Sequence, residues 1–163
     1  TAATTAAPLR WGNAPDFTID DVNGNSFTLS SEMGHPIVMI VWITTCSICE
    51  YELQYAQSVY NKYSSQGLEV IGVCEYQSNS ASDAKSKAAS LGLIHKILFD
   101  MWQVPRMYGM YEPGTTNMDT SWMVFIDRQG NIYKKLCNNP YSQTTGAQFL
   151  YESDIETYVK AIL

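Results

Sequence analysis

Residues 37–52 read IVMIVWITTCSICEYE, and this stretch decides the fold. Ile37 to Ile43 is apolar at every position, with no polar alternation. Such a run predicts a central strand covered on both faces. Thr44 and Thr45 lead into Cys46, and there the period changes. Ile48, Leu53, Ala56, Val59, Tyr60 and Tyr63 fall at helical spacing. They predict a helix from Cys46 to about Gln66, with Gly67 where a helix stop belongs. Leu68 to Cys74 follows as a second apolar strand.

Upstream, Phe17–Asp20 and Ser26–Leu29 flank Asn23-Gly24-Asn25, which predicts a hairpin, and Ser31–Gly34 is a brief turn. Downstream, Ser82–Leu91 reads as a polar helix ended by Gly92, and Lys96–Phe99 as a short strand. Met101–Gly109 reads as a helix broken around Pro105, and Tyr111–Thr120 as a loop. Trp122–Asp127 and Ile132–Cys137 form a second hairpin around Arg128–Asn131. Ser153 and Glu156 have capping-box spacing and open a last helix to about Ile162. Strand, helix, strand, helix, strand, hairpin and helix make an α/β fold with a mixed sheet. A right-handed crossover puts Cys46 at the carboxyl edge of the parallel strands, at a helix start, where ligands gather in such sheets.

The 163 residues suit one domain, and 45% hydrophobic content supplies its core. Thr1 to Ala7 is small and polar, so residues 1–14 are expected to be a tail or tether, and residues 15–163 one folded domain. No charged segment followed by an apolar run marks a signal peptide. The chain starts without Met and is read as a processed or trimmed form, which fits export and leaves room for a removed anchor. The longest apolar run is far short of the roughly 20 residues that span a bilayer. Ten Lys and Arg against sixteen Asp and Glu give a net charge of −6, with no basic block, which argues against nucleic acid or an anionic membrane as partner.

Cys46 and Cys49 form a C-x-x-C at a strand-to-helix junction. Free N–H groups and the helix dipole favour an anion at Cys46, and a thiolate is the reactive form of cysteine. Cys49, almost one turn later, is close enough to close a disulfide with it. Cys46 is therefore the expected nucleophile and Cys49 the resolving thiol. A zinc site would need a second such pair or paired histidines, and His35 and His95 are isolated. Two inert buried cysteines are the other alternative.

With these residues in view, the chain resembles the TlpA-like, redoxin-domain branch of the thioredoxin superfamily. APDFTIDDVNGNSFTLSS (14–31) resembles its N-terminal hairpin, residues 37–52 its active-site strand and helix start, and SWMVFIDRQGNI (121–132) its β-hairpin. The resemblance implies a thioredoxin-like fold: a mixed central sheet flanked by helices, with an added N-terminal β-hairpin. It also implies thiol–disulfide exchange with protein disulfides or dithiols in a periplasmic or otherwise extracytoplasmic compartment, often in cytochrome c maturation. No organic cofactor is required, because the electrons reside on the two sulfurs, and a monomer is expected. Glu52 stands where the family often carries a Glu that assists proton transfer.

Three positions depart from the family pattern. Thr45 replaces a Trp before the first cysteine, and Glu50 replaces a basic residue after the second. Ser121, preceded by Thr120, replaces the cis-proline that docks substrate backbone and keeps metal off the thiols. Thr120 and Ser121 are thus the expected docking residues, and the bond between them is expected to be trans, since a non-proline cis bond costs about 3 kcal/mol. Glu50, one turn after Cys46, opposes the thiolate there and predicts a reductant rather than an oxidant. Peroxidase relatives use a Thr and a Pro where this chain has Ile43 and Met39, so peroxidase activity is not expected.

Five methionines fall between Met101 and Met123. They suggest either loop packing, a soft docking surface, or thioethers for Cu(I), and the last makes a Cu(I) carrier on Cys46 and Cys49 the rival function. A redox-inactive adaptor is a third reading. Cys74 and Cys137 end strands that the resembled fold holds three gaps of about 4.8 Å apart, beyond the roughly 7 Å reach of a disulfide. Both are expected to be small buried hydrophobes, and His35 and His95 structural.

Overall fold

A computed structural model describes Ala2, residues 10–77 and residues 79–163. An antiparallel hairpin of β1 (Thr18–Asp20) and β2 (Ser26–Thr28) precedes β3 (Ile37–Trp42), α1 (Ser47–Tyr63) and β4 (Glu69–Glu75). Then come α2 (Ala81–Ser90), β5 (Lys96–Asp100), α3 (Gln103–Tyr108), β6 (Trp122–Ile126), β7 (Ile132–Cys137) and α4 (Glu152–Ile162). The main sheet has the order β5-β4-β3-β6-β7. The β3–β4 and β4–β5 pairs are parallel, and the β3–β6 and β6–β7 pairs antiparallel. This is the thioredoxin-like α/β architecture with an N-terminal hairpin.

The apolar run of β3 works as its pattern implied. Val38, Ile40 and Trp42 point to the face covered by α1, α2 and α4, where they meet Leu53, Val59, Ala84 and Val159. Met39 and Val41 point to the other face, packing with Phe17, Phe27, Val104 and Tyr108. Successive strand side chains alternate between faces, so a strand with both faces covered must be apolar throughout. Among the described residues, no helix is long and apolar enough to cross a membrane.

Four local expectations change. Pro105 does not break α3: it is the third residue of the helix, in the first turn, where the proline's missing N–H costs nothing. The capping-box pair of α4 is not Ser153 with Glu156. The Asp154 carboxylate accepts from Tyr151 N, and Glu156 instead accepts from Tyr63 Oη and Lys62 Nζ on α1. The Thr120–Ser121 bond is cis rather than trans. Ser121 is held on both sides, by Asn138 N donating to its carbonyl and by its own hydroxyl donating to Glu52, contacts that a dipeptide preference does not contain.

The fourth change concerns the N-terminal segment. Most of the tail expected over residues 1–14 lies outside the described residues, but its last part is docked. Trp11 Nε1 donates to Ala14 O, Ala14 N to Gly130 O, and Ile132 N to Asn13 Oδ1. Gly130 turns the β6–β7 hairpin at φ +80, and a Cβ there would meet the Trp11 ring at 2.5 Å. Both the turn and the contact require glycine. Gly130→Ala is expected to cost about 1–3 kcal/mol of stability. Thermal unfolding measures this, and an unchanged midpoint would mean that Trp11 does not sit on the turn.

Candidate active site

Cys46 ends the loop after β3 and is the N-cap of α1, with its Sγ accepting from Cys49 N at 3.1 Å. Cys46 and Cys49 form a disulfide with their Cα atoms 5.2 Å apart. Cys46 is half-buried and Cys49 wholly buried, so one sulfur is open to attack and the other lies behind it. The helix supplies this arrangement, because residues three apart sit on nearly the same side.

Glu52 lies one turn beyond Cys49 and has no exposed surface. Three donors, from the segment before β6 and from the two ends of the loop between β7 and α4, converge on its carboxyl group. Leu150 N donates to Oε1 at 3.0 Å, Ser121 Oγ donates to Oε2 at 2.9 Å, and Asn138 Nδ2 also donates to Oε2. Burial pushes the Glu52 carboxyl up to about 7, and these three hydrogen bonds hold it down against that push. A carboxyl group poised near neutrality can take and return a proton, and helical spacing sets Glu52 one turn from Cys49. Thr120 is half-buried, whereas Ser121 is fully buried with its hydroxyl turned inward to Glu52.

Glu50 does not stand alone against Cys46. Its Oε1 pairs with Lys87 Nζ of α2 at 2.5 Å, which partly offsets the charge on which the reductant expectation rested. The methionines do not converge either. Met110 and Met118 pack on the α3 face of the sheet, Met123 on the α1 face, and Met101 and Met107 are exposed. They mostly fill gaps between elements. Among the described residues, no group of three or more His, Cys, Asp and Glu could hold a metal ion.

Cys74 and Cys137 are both free and buried, on strands three places apart. Burial pushes the Cys74 thiol up to about 12. His35 Nδ1 lies 3.0 Å from Gly67 O, and the buried His95 lies 2.9 Å from Gln57 Oε1, with burial holding its pKa down near 4. Both serve the fold.

Several residues carry no sequence signal. Asn138 and Leu150 reach Glu52 only because the loop between β7 and α4 folds back. Asp119 holds that loop, accepting from Thr144 Oγ1 at 3.3 Å, from Cys137 Sγ at 3.5 Å and from Ser142 Oγ. Glu75 and Asp100 pair across β4 and β5 as a second buried acidic site. They accept from Trp102 N and Val104 N and so hold the start of α3. Burial and the Asp100 carboxyl push Glu75 up to about 9.

The family model for Redoxin matches residues 11–146, from the docked Trp11 into the loop that carries Asn138. The chain belongs to the Redoxin family. It is 28% identical over 123 residues to the thiol-disulfide oxidoreductase ResA of Bacillus thuringiensis, a match covering 76% of this chain and 66% of that protein. To ResA of Geobacillus thermodenitrificans it is 30% identical over 122 residues, covering 74% and 65%. The chain thus spans just under two thirds of the length of these relatives. The thioredoxin domain of a thiol-disulfide oxidoreductase from Bacteroides vulgatus superposes with a TM-score of 0.73, covering 96% of this chain and 100% of that one at 20% identity. That likeness shows the fold.

The geometry makes two outcomes measurable. An unfolded Glu52 loses its proton near 4.5, and the folded one near 7. Within that window the folded state keeps a proton that the unfolded state has lost, so this contribution is full below the lower value and fades as pH rises through the upper one. Glu75 continues the decline toward about 9. Glu52→Gln, which has no proton to lose, is expected to flatten the lower part of the slope, read as a smaller stability difference between urea melts at about pH 5 and about pH 8 than the parent shows. In the reduced native protein, iodoacetamide should modify Cys46 first and leave Cys74 and Cys137 untouched until denaturant is added. Mass spectrometry of the labelled peptides decides this, and early labelling of Cys74 would contradict its burial.

Proposed function

We propose that this protein is a thiol–disulfide oxidoreductase that works in an extracytoplasmic compartment and mainly reduces the disulfides of partner proteins. The observation that carries the reading is the Cys46–Cys49 disulfide at the head of α1, with one sulfur accessible and the other buried. Family membership and the ResA relatives support it.

In the reducing direction, the Cys46 thiolate attacks one sulfur of the partner disulfide. A mixed disulfide forms, and the other partner sulfur leaves as a thiolate that takes a proton. Cys49, deprotonated by Glu52, then attacks Cys46 Sγ. The Cys46–Cys49 disulfide forms, and the second partner sulfur leaves as a thiolate that takes up the proton Glu52 received from Cys49. Two electrons pass from the protein to its partner. Thr120, half-buried immediately before β6, offers the backbone on which the partner chain docks, with the buried Ser121 supporting it from behind.

The direction rests on local charge. Among the described residues, Cys46 Sγ accepts a hydrogen bond only from Cys49 N, and Lys87 is engaged by Glu50. With no basic side chain bonded to the sulfur and the Glu50 carboxylate one turn away, the thiolate is less favoured than in an oxidant, which makes the dithiol more reducing.

Thiol trapping with mass spectrometry across defined redox buffers tests this. Cys46 and Cys49 should titrate as one two-electron couple with a midpoint near the roughly −270 mV of thioredoxin. A midpoint near about −120 mV, that of a dedicated oxidant, would reverse the direction. Cys49→Ser should accumulate mixed disulfides, and Cys46→Ser none. Thiols that never pair, or that stay protected until a chelator is added, would overturn the proposal in favour of the Cu(I) carrier.

A further inference from the structure

The family resemblance implies a proline at the position of Ser121, and what the serine does there is visible in the hydrogen bonds. A proline ring would present no donor. The Ser121 hydroxyl has no exposed surface, and it donates to Glu52 Oε2 at 2.9 Å. Its carbonyl accepts from Asn138 N at 2.9 Å, while the Asn138 side chain donates to that same Oε2. Ser121, Asn138 and Glu52 therefore close a ring of contacts between the docking segment before β6, the loop after β7 and α1.

We propose that Ser121 is a positioning residue for proton transfer: its hydroxyl, with the Asn138 amide, holds the Glu52 carboxylate toward Cys49 and links its protonation to the segment on which the partner docks. This rests on the reading of Glu52 as the proton acceptor for Cys49. Two of the three donors to Glu52 come from that segment and from the loop bonded to it, so a partner chain that shifts Thr120 and Ser121 alters the carboxylate's hydrogen bonds directly. Leu150 N is the third donor and belongs to the backbone before α4. Among the described residues, the groups hydrogen-bonded to Glu52 are all uncharged donors: Ser121 of the docking segment, Asn138 of the loop after β7, and the Leu150 N–H. On its own helix, the titratable residues at one-turn spacing are Cys49, three residues earlier, and Tyr55, three residues later.

The sign of the effect follows from the donors. A hydroxyl that donates to a carboxylate stabilises the charged form, so its removal favours the proton. Ser121→Ala should raise the apparent pKa of Glu52 by about one unit, tenfold in proton affinity. Ser121→Pro should do the same, Asn138→Ala should act in the same direction, and Ser121→Thr, which keeps the hydroxyl, should leave the value near that of the parent.

The direct readout is the carboxyl carbon shift of Glu52 in a 13C-labelled protein, titrated by NMR in the oxidised form, where neither cysteine of the pair ionises. The second is the pH profile of reaction of the reduced protein with a small aromatic disulfide, in which the limb assigned to Glu52 should move with the NMR value. Far-UV circular dichroism of each variant confirms folding, and Asn138→Ala keeps the test open should Ser121→Ala fail to fold.

If Glu52→Gln leaves the pH profile of the parent unchanged, the proton-transfer reading itself fails. If Glu52→Gln removes the limb but the Ser121 and Asn138 variants titrate like the parent, Glu52 keeps its role and the positioning proposal is overturned. A shift in Ser121→Ala that Ser121→Thr does not rescue would also overturn it, because the hydroxyl would then not be the cause.

Discussion

Every side chain of β3 is buried, because α1, α2 and α4 cover one face of the main sheet and the N-terminal hairpin and α3 cover the other. Two-sided burial of one strand is the constraint on which the site depends. It fixes the strand in the middle of the sheet, between parallel β4 and antiparallel β6, and so fixes where its carboxyl end emerges. Cys46 follows within a short loop and caps a helix whose inner face is locked by Leu53, Ala56 and Val59. The disulfide is thus carried on a rigid joint. Its buried sulfur belongs to the packed face of α1, and its accessible sulfur to the cap.

Around that joint, the protein spends buried carboxyl groups on organisation. Glu75 and Asp100 hold the N-terminal turn of α3, and Asp119 ties down the loop that follows β7. Glu52 collects donors from Ser121 just before β6 and from both ends of that loop, at Asn138 and Leu150. A carboxyl group removed from water demands partners for its oxygens, and the irregular segments supply them. The same desolvation that makes Glu52 demand these donors raises its proton affinity.

Charge near the accessible sulfur is balanced rather than one-sided. Glu50 faces Cys46 by helical spacing, yet its carboxylate is engaged by Lys87 from a helix that the chain reaches 37 residues later. Both partners are substantially exposed, so the pair is weak as a stabilising contact. Its consequence is local: it limits how far Glu50 acts on the cysteine.

The linear sequence was sufficient for the elements and for the redox pair. Both are written in short-range pattern: unbroken apolarity for β3, helical periodicity for α1, turn residues at Asn23–Asn25 and Arg128–Asn131, and two cysteines three apart at a strand-to-helix junction. The family resemblance singled out Glu52, and strand order excluded a bond between Cys74 and Cys137, which are both free. What only the tertiary structure decided is which groups meet. Asn138 and Leu150 lie 86 and 98 residues from Glu52 and carry no local mark of reaching it. The same holds for Lys87 against Glu50, for Glu75 beside Asp100, and for the cis bond at Thr120–Ser121. Periodicity records which face of an element is buried, because burial selects residue type position by position. It does not record which polar atoms find each other inside, because a donor from any loop can satisfy a buried acceptor once the chain has folded around it.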